Sequence, residues 1–260
     1  MHRDLVALDA HPLLPRLLHT VEHPDATCRV LDRELPAPLV PRAEPWRDAP
    51  PPWPLVRLEA SDWLARADGT GEWAVVARLP TGRMADLVSQ ARRLGDRAPA
   101  GVILDLSPLA DATPFGETVW RPRGREELAE LRAAAGRPLW VDGITSPADA
   151  EAAAEAGVDG VVIRSEAGRN LDGPAVAEVL PEVLDTVAGM VGVYVGGPVR
   201  SGIDVFRYLA LGAEGVLPDA STDVSRLAAE LDYAMRMTGC ATLEEIGYEA
   251  LFAPLWEESS

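Results

Sequence analysis

From about Trp53 onward, short continuous apolar runs alternate with amphipathic stretches of helical period. The runs are Trp53-Pro-Leu-Val-Arg-Leu, Glu72-Trp-Ala-Val-Val-Ala-Arg-Leu, Gly101-Val-Ile-Leu-Asp-Leu, Pro138-Leu-Trp-Val-Asp, Gly160-Val-Val-Ile-Arg, Val191-Gly-Val-Tyr-Val-Gly-Gly and Gly215-Val-Leu-Pro. Between them the spacing predicts helices over 84–93, 125–135, from Ser146, over 175–188, from Ser201 and over 224–237. Ser146-Pro147-Ala148-Asp149 combines an N-cap serine, proline at the first helical position and an acid in the first turn. Strands buried on both faces read as unbroken apolar runs, and a helix after each returns the chain for a parallel neighbour. Repetition without hairpin signals means a parallel sheet with right-handed crossovers.

With Ala37-Pro-Leu-Val-Pro as a first strand the count reaches eight, and 260 residues suit one (β/α)8 TIM barrel, which takes about 250. The stretch 42–52, Arg-Ala-Glu-Pro-Trp-Arg-Asp-Ala-Pro-Pro-Pro, is too proline-rich for a helix. The first crossover helix is therefore expected to be shortened or missing. Residues 1–30 read as a short N-terminal helical cap interrupted at Pro12 and Pro15, and 31–260 as the barrel domain.

A formal charge of -17 argues against nucleic acid and against an anionic membrane surface, because both need a basic face. No stretch approaches the roughly 18 apolar residues of a membrane span. The start of the chain is too broken by proline for a signal-peptide core. With two isolated cysteines, Cys28 and Cys240, the expectation is a cytoplasmic protein. All 24 basic residues are arginine, which excludes Schiff-base chemistry by a lysine. The four histidines, His2, His11, His19 and His23, all precede the barrel, so no histidine base can come from its body. His19-Thr-Val-Glu-His23 matches the H-x-x-E-H zinc pattern, but Pro24 follows at once and no third ligand is evident. It reads as a surface helix end, and no metal is expected.

Asp142 and Glu166 fall at C-terminal strand ends, the side on which barrel enzymes place their chemistry. They read as an acid/base pair, as acids that could help hold a metal with Asp219, or as a turn residue and a solvated loop acid. Arg164, Arg169 and Arg200 read either as the binding groups for an anionic small molecule or as partners of these acids.

The second half of the chain resembles the FMN-dependent 2-hydroxy acid dehydrogenases and oxidases. The resemblance is carried by Pro138-Leu-Trp-Val-Asp-Gly-Ile, Ala156-Gly-Val-Asp-Gly-Val-Val-Ile, Gly168-Arg-Asn-Leu-Asp-Gly-Pro, Val199-Arg-Ser-Gly-Ile-Asp-Val and Met237-Thr-Gly-Cys-Ala-Thr-Leu-Glu-Glu-Ile-Gly. It is specific over 138–247 and weaker over 33–39 and 53–137, and it implies a divergent, truncated member. The family's lysine beside the flavin falls on Asp142, a reversal of charge. Its base histidine falls on Glu166, and its substrate-carboxylate arginine is kept as Arg169. Its Gln-Leu-Tyr on strand three falls near Val75, Val76 and Ala77, and its strand-four threonine and aspartate fall near Leu104 and Leu106. Its phosphate loop aligns with Gly196, Gly197, Pro198, Val199 and Arg200, and its last Gly-Arg with Asp219 and Ala220.

The resemblance with these losses implies a pseudoenzyme, a binding or partner subunit that does not perform the oxidation. It would hold no cofactor, or FMN on Gly196, Gly197 and Arg200 if the family's cofactor is kept. Two alternatives stay open. One is a repurposed enzyme using Glu166 and Asp142 on an anionic or phosphorylated small molecule, and the other is a flavin-dependent oxidoreductase with an altered site. Family members are usually oligomeric, so a homo-oligomer or a partner protein is expected.

Overall fold

A computed structural model describes residues 2–43, 53–65, 74–80, 82–107, 123–165, 172–219 and 222–252. The chain opens with α1 (His2–Asp9) and an antiparallel hairpin, β1 (Cys28–Val30) and β2 (Arg33–Leu35). Seven parallel strands follow in sequence order: β3 (Leu55–Glu59), β4 (Ala74–Pro80), β5 (Gly101–Asp105), β6 (Leu139–Ile144), β7 (Gly160–Ile163), β8 (Gly192–Gly197) and β9 (Gly215–Pro218). Between and after them run α2 (Ala60–Ala65), α3 (Met84–Asp96), α4 (Arg125–Ala135), α5 (Pro147–Glu155), α6 (Val176–Val187), α7 (Gly202–Ala210) and α8 (Val224–Thr238).

The eighth place in the barrel belongs to residues 37–43, which pair with both edges of the sheet. Leu39 bridges Val216 on β9, and Arg42 bridges Arg57 on β3. Val40 N donates to Val216 O at 2.9 Å, and Arg57 N donates to Pro41 O at 2.7 Å. The sheet is closed on itself, which removes its edges. The connection expected to lack a helix, 44–52, lies outside the described residues.

The helix starts explain several boundaries. Ser146 Oγ accepts from Asp149 N and caps α5, with Pro147 at its first turn. Asp223 accepts from Ser225 N and Arg226 N and caps α8. Ser201 makes no side-chain cap on α7. There Asp204 accepts from Arg200 N and Glu230 from Gly202 N. Among the described residues of the stretch read as a helical cap, α1 is the one helix. Residues beyond it cross the molecule in extended and bent form, with Leu13 bridging Leu251 and Asp25 bridging Thr242. The expected boundary at residue 30 falls inside the hairpin. Leu31 and Asp32, its two-residue turn, both take left-handed backbone (φ 47 and 61), the twist that such tight turns need. His19 and His23 are not in a helix, and His19 Nδ1 accepts from Val21 N at 3.1 Å. No helix among the described residues is long and apolar enough to cross a membrane.

Strand side chains alternate between two apolar layers. Val75, Ala77, Val102, Leu104, Val141 and Val161 face outward and pack under the helices. Leu55, Val76, Ile103, Trp140, Val162, Tyr194 and Leu217 face inward and fill the lumen, with Val30 and Leu35 of the hairpin plugging its N-terminal end. Trp140 and Tyr194 stack there with ring centroids 4.3 Å apart. Their rings lie across strands that carry glycine: a Cβ on Gly160 would sit 2.8 Å from Trp140 Cδ1, and one on Gly192 2.9 Å from Tyr194 Cε2. Gly160→Ala should therefore overpack the lumen floor and cost about 1–3 kcal/mol, seen as a lower urea midpoint. An unchanged midpoint would mean that the indole moves freely.

Candidate functional site

One step further along each strand, the inward positions turn from apolar to ionic. Arg57 of β3, Arg78 of β4, Asp105 of β5, Asp142 of β6, Arg164 just after β7, Gly196 of β8 and Asp219 just after β9 occupy the C-terminal mouth of the lumen. This is the face where barrels build their sites. The register sets Asp105 directly beside Asp142, an arrangement that two buried carboxylates tolerate only with cations to hand. Each has its own guanidinium. Arg78 pairs with Asp105 and also donates to Glu59 Oε1 at 2.7 Å. Arg164 grips Asp142 with two bonds, Nε to Oδ1 at 2.8 Å and Nη2 to Oδ2 at 3.2 Å. Its Nη1 also lies 3.5 Å from Asp219 Oδ1.

Asp142 is 1% exposed and Arg164 8%, so this is a buried ion pair with bidentate geometry. Gly196 makes room for it, because a Cβ there would overlap the guanidinium. Arg57 closes the layer from the far side. Its Nε donates to Val40 O at 2.9 Å and its Nη2 to Pro218 O, so one buried side chain ties the closing segment to β9. Burial pushes its guanidinium down and Arg164 adds to the push, while Asp142 and Asp219 oppose it.

The loop from β8 to α7 carries the second cluster. Gly197 has left-handed backbone (φ 125), which suits glycine. The Arg200 guanidinium donates from Nε and Nη2 to Asp204 at 2.9 and 2.8 Å, and from Nη1 and Nη2 to Asp9 at 3.0 and 2.6 Å. Burial pushes the Asp204 carboxyl up, but its bonds and charge contacts with Arg200 and Arg207 outweigh that and hold it below the ordinary carboxylate range. The same bonds, to Asp204 first and Asp9 next, push Arg200 further up.

Among the residues expected from sequence, Asp142, Arg164 and Gly196 meet at the mouth, joined by Asp219. Gly197 and Arg200 lie in the neighbouring loop. Glu166, Arg169 and Ala220 lie outside the described residues. Leu104, Val75 and Ala77 face the outer layer, so the polar position on β5 is Asp105 instead. Arg57, Arg78 and Asp105 are mouth residues that the sequence reading missed. Their signal was a charge at the inner phase of an otherwise apolar strand.

The resemblance brings FMN with it, and the arrangement can be tested against that group. Where the family has a cation, Asp142 is locked to Arg164, whose guanidinium fills the space above Gly196. Where the family binds phosphate, Arg200 N, Gly202 N and the Arg200 guanidinium are all bonded to carboxylates of this chain. In this arrangement the described residues do not fit FMN. For the acid/base alternative, both Asp142 oxygens are bonded to Arg164, which leaves that carboxylate poorly placed to exchange protons with a substrate.

Two outcomes follow from the ion pairs. Arg164→Ala should destabilise the fold by about 3–5 kcal/mol by stranding Asp142, whereas Asp142→Leu with Arg164→Met should be near neutral. Urea unfolding of both variants separates these, and equal losses would contradict a buried pair. For Asp204, whose folded pKa is lowered, the stabilisation is present above the ordinary carboxylate range and is lost as pH falls through the folded value. Asp204→Asn should lower the melting temperature at pH 7 and flatten its decline below about pH 5.

Comparisons with known proteins agree with this barrel. The family model described as FMN-dependent dehydrogenase matches residues 80–218. An L-lactate oxidase of Roseobacter sp. is 39% identical over 146 residues, covering 50% of this chain and 39% of that enzyme. A peroxisomal (S)-2-hydroxyacid oxidase of Arabidopsis thaliana is 36% identical over 136 residues, covering 46% and 38%. The matches thus span well under half of these curated relatives' length. A lactate oxidase structure from Pediococcus acidilactici superposes with a TM-score of 0.79 at 19% identity, covering 98% of this chain and 86% of that one. A flavocytochrome b2 structure with benzoylformate gives 0.80 at 17%, covering 100% and 80%. The fold is that of these enzymes, and the chain belongs to the FMN-dependent dehydrogenase family, in its 2-hydroxy acid oxidase and dehydrogenase group.

Proposed function

We propose that this chain is a pseudoenzyme of its family, a binding or partner subunit that has given up flavin-dependent oxidation. The observation that carries the reading is the Arg164–Asp142 pair seated in the notch over Gly196. A barrel that oxidises a 2-hydroxy acid needs an open mouth in which a cation meets the reduced flavin. Here the mouth layer holds three arginines and three aspartates that neutralise one another, Arg57, Arg78 and Arg164 against Asp105, Asp142 and Asp219. A bound flavin would have to displace Arg164 and leave Asp142 buried without its guanidinium, at a cost of several kcal/mol. The filled phosphate loop adds to this, since a dianion there meets Asp9 and Asp204 before it meets Arg200. Under this reading the scaffold is kept for what it contacts rather than for what it turns over, either another copy of the chain or a different protein.

The test is the absorbance spectrum of the full chain as purified, followed by addition of FMN and of L-lactate. The expected spectrum has no flavin band, added FMN keeps its free spectrum, and no lactate is consumed. Stoichiometric FMN with turnover of a 2-hydroxy acid would overturn the proposal.

A further inference from the structure

The end of the barrel opposite the mouth carries a hollow of about 580 Å³, open to the surface. That size falls in the range of small-molecule sites, roughly 300–1,000 Å³. Its walls come from the hairpin, from the loops that lead into β7, β8 and β9, and from early positions of β6 and β8. Trp140 and Tyr194, the stacked pair of the lumen floor, form part of its lining. Gly192 leaves them room, because a Cβ there would lie 2.9 Å from Tyr194 Cε2 and 3.1 Å from Glu214 Oε2.

The polar groups of the lining fall into two sets that the fold leaves unused. Trp140 is 2% exposed, yet its Nε1–H donates to nothing among the described residues and is not sealed from the surface. A buried indole N–H ordinarily finds an acceptor. Arg29, exposed on β1, is paired with no carboxylate among the described residues. These two are the donors. Asp32, in the hairpin turn, has no cation among the described residues either. Glu214, exposed ahead of β9, has the Tyr194 phenol and the Val193 backbone beside it and no cation among the described residues. Asp159, the remaining acid of the lining, is already engaged. Arg132 holds both its oxygens at 2.9 and 3.1 Å, and Leu139 N donates to it at 2.9 Å.

A ligand that answers both sets must bring both charges. A plain carboxylate would satisfy Arg29 and the indole N–H but meet Asp32 and Glu214 as like charges. A plain amine would leave the two donors without an acceptor. The rest of the lining is largely apolar, with Leu31, Val158 and Val191. Met190 adds a side chain that is 58% exposed, a thioether suited to an aromatic ring. We propose that the hollow binds a free α-amino acid with a large apolar side chain. Its carboxylate is held by Arg29 and Trp140 Nε1–H, its ammonium by Glu214 and Asp32, and its side chain lies against Met190. Through Trp140 and Tyr194 the ligand touches β6 and β8 two positions before Asp142 and Gly196. The site lies at the other end of the lumen from the ion-paired mouth and does not rest on the reading of that mouth as inactive.

L-Phenylalanine is the probe, titrated by calorimetry into the intact chain as purified, and saturable one-to-one binding is expected. Hydrocinnamate, which lacks the ammonium, and phenethylamine, which lacks the carboxylate, should each bind about tenfold or more weakly, the loss of one charge-assisted contact. Arg29→Gln and Glu214→Gln, both at exposed positions, should weaken phenylalanine binding to the same extent and leave the melting temperature unchanged. No binding of phenylalanine, equal binding of the acid or the amine alone, or an affinity that survives both substitutions would overturn the proposal. None of these readouts involves flavin or lactate, so failure here and failure of the pseudoenzyme reading are told apart.

Discussion

Two aspartates on neighbouring strands of a closed barrel, Asp105 and Asp142, set the terms for everything at its C-terminal mouth. Side chains on paired parallel strands keep the same facing, so both carboxylates point into the lumen, where each is 2% exposed or less. Neither can be buried as an ion without a cation at hydrogen-bonding distance. Arg78 and Arg164 answer that requirement, and their length dictates the rest. A guanidinium reaching across from the end of β7 needs an unobstructed path, which is why β8 carries glycine at 196. The mouth is thus a set of mutual obligations in which no single member can be exchanged by itself.

The same logic extends outward through α1. Its two acids, Asp4 and Asp9, contact the segments that follow β7 and β8. Those are the places where the resemblance puts a base and a phosphate. A chain that bound neither would be left with unpaired arginines and bare helix-start amides, and intrachain carboxylates meet both needs. The groups described at both places are bonded to carboxylates of the same chain.

Much of the architecture could be read from the sequence because local and global preferences agree. The α5 start is written in Ser146-Pro147, and the end of α8 in Gly239, which takes left-handed backbone. Ala37-Pro-Leu-Val-Pro was expected as a first strand from the count of eight, and it fills that place through isolated bridges rather than as a regular strand. The site was legible only in part. Asp142 and Arg164 stood out because they depart from a motif and Arg200 because it keeps one, whereas Arg57, Arg78 and Asp105 sit inside apolar runs and read as strand residues. Pairing was the least visible. One partner of Arg200 lies 191 positions away, and that of Asp142 lies 22 away, just after the next strand. No local pattern encodes either separation, since each arises only once the barrel closes. The hairpin was missed for a different reason: its turn is Leu31-Asp32, which puts two residues with side chains in a conformation usually signalled by glycine or asparagine.

The closure of the barrel also dictates when folding can finish. Leu39 waits for Val216, Asp25 for Thr242 and Leu13 for Leu251, so the closing segment is made long before its β9 neighbour exists. At about 5–20 residues per second of synthesis, that interval is on the order of ten seconds or more. During it Val30 and Leu35, which end as the plug of the lumen, have no lumen to enter. The nascent chain must carry an apolar hairpin in water until β9 has been synthesised, which marks that segment as the place where a chaperone would engage and where misassembly would start.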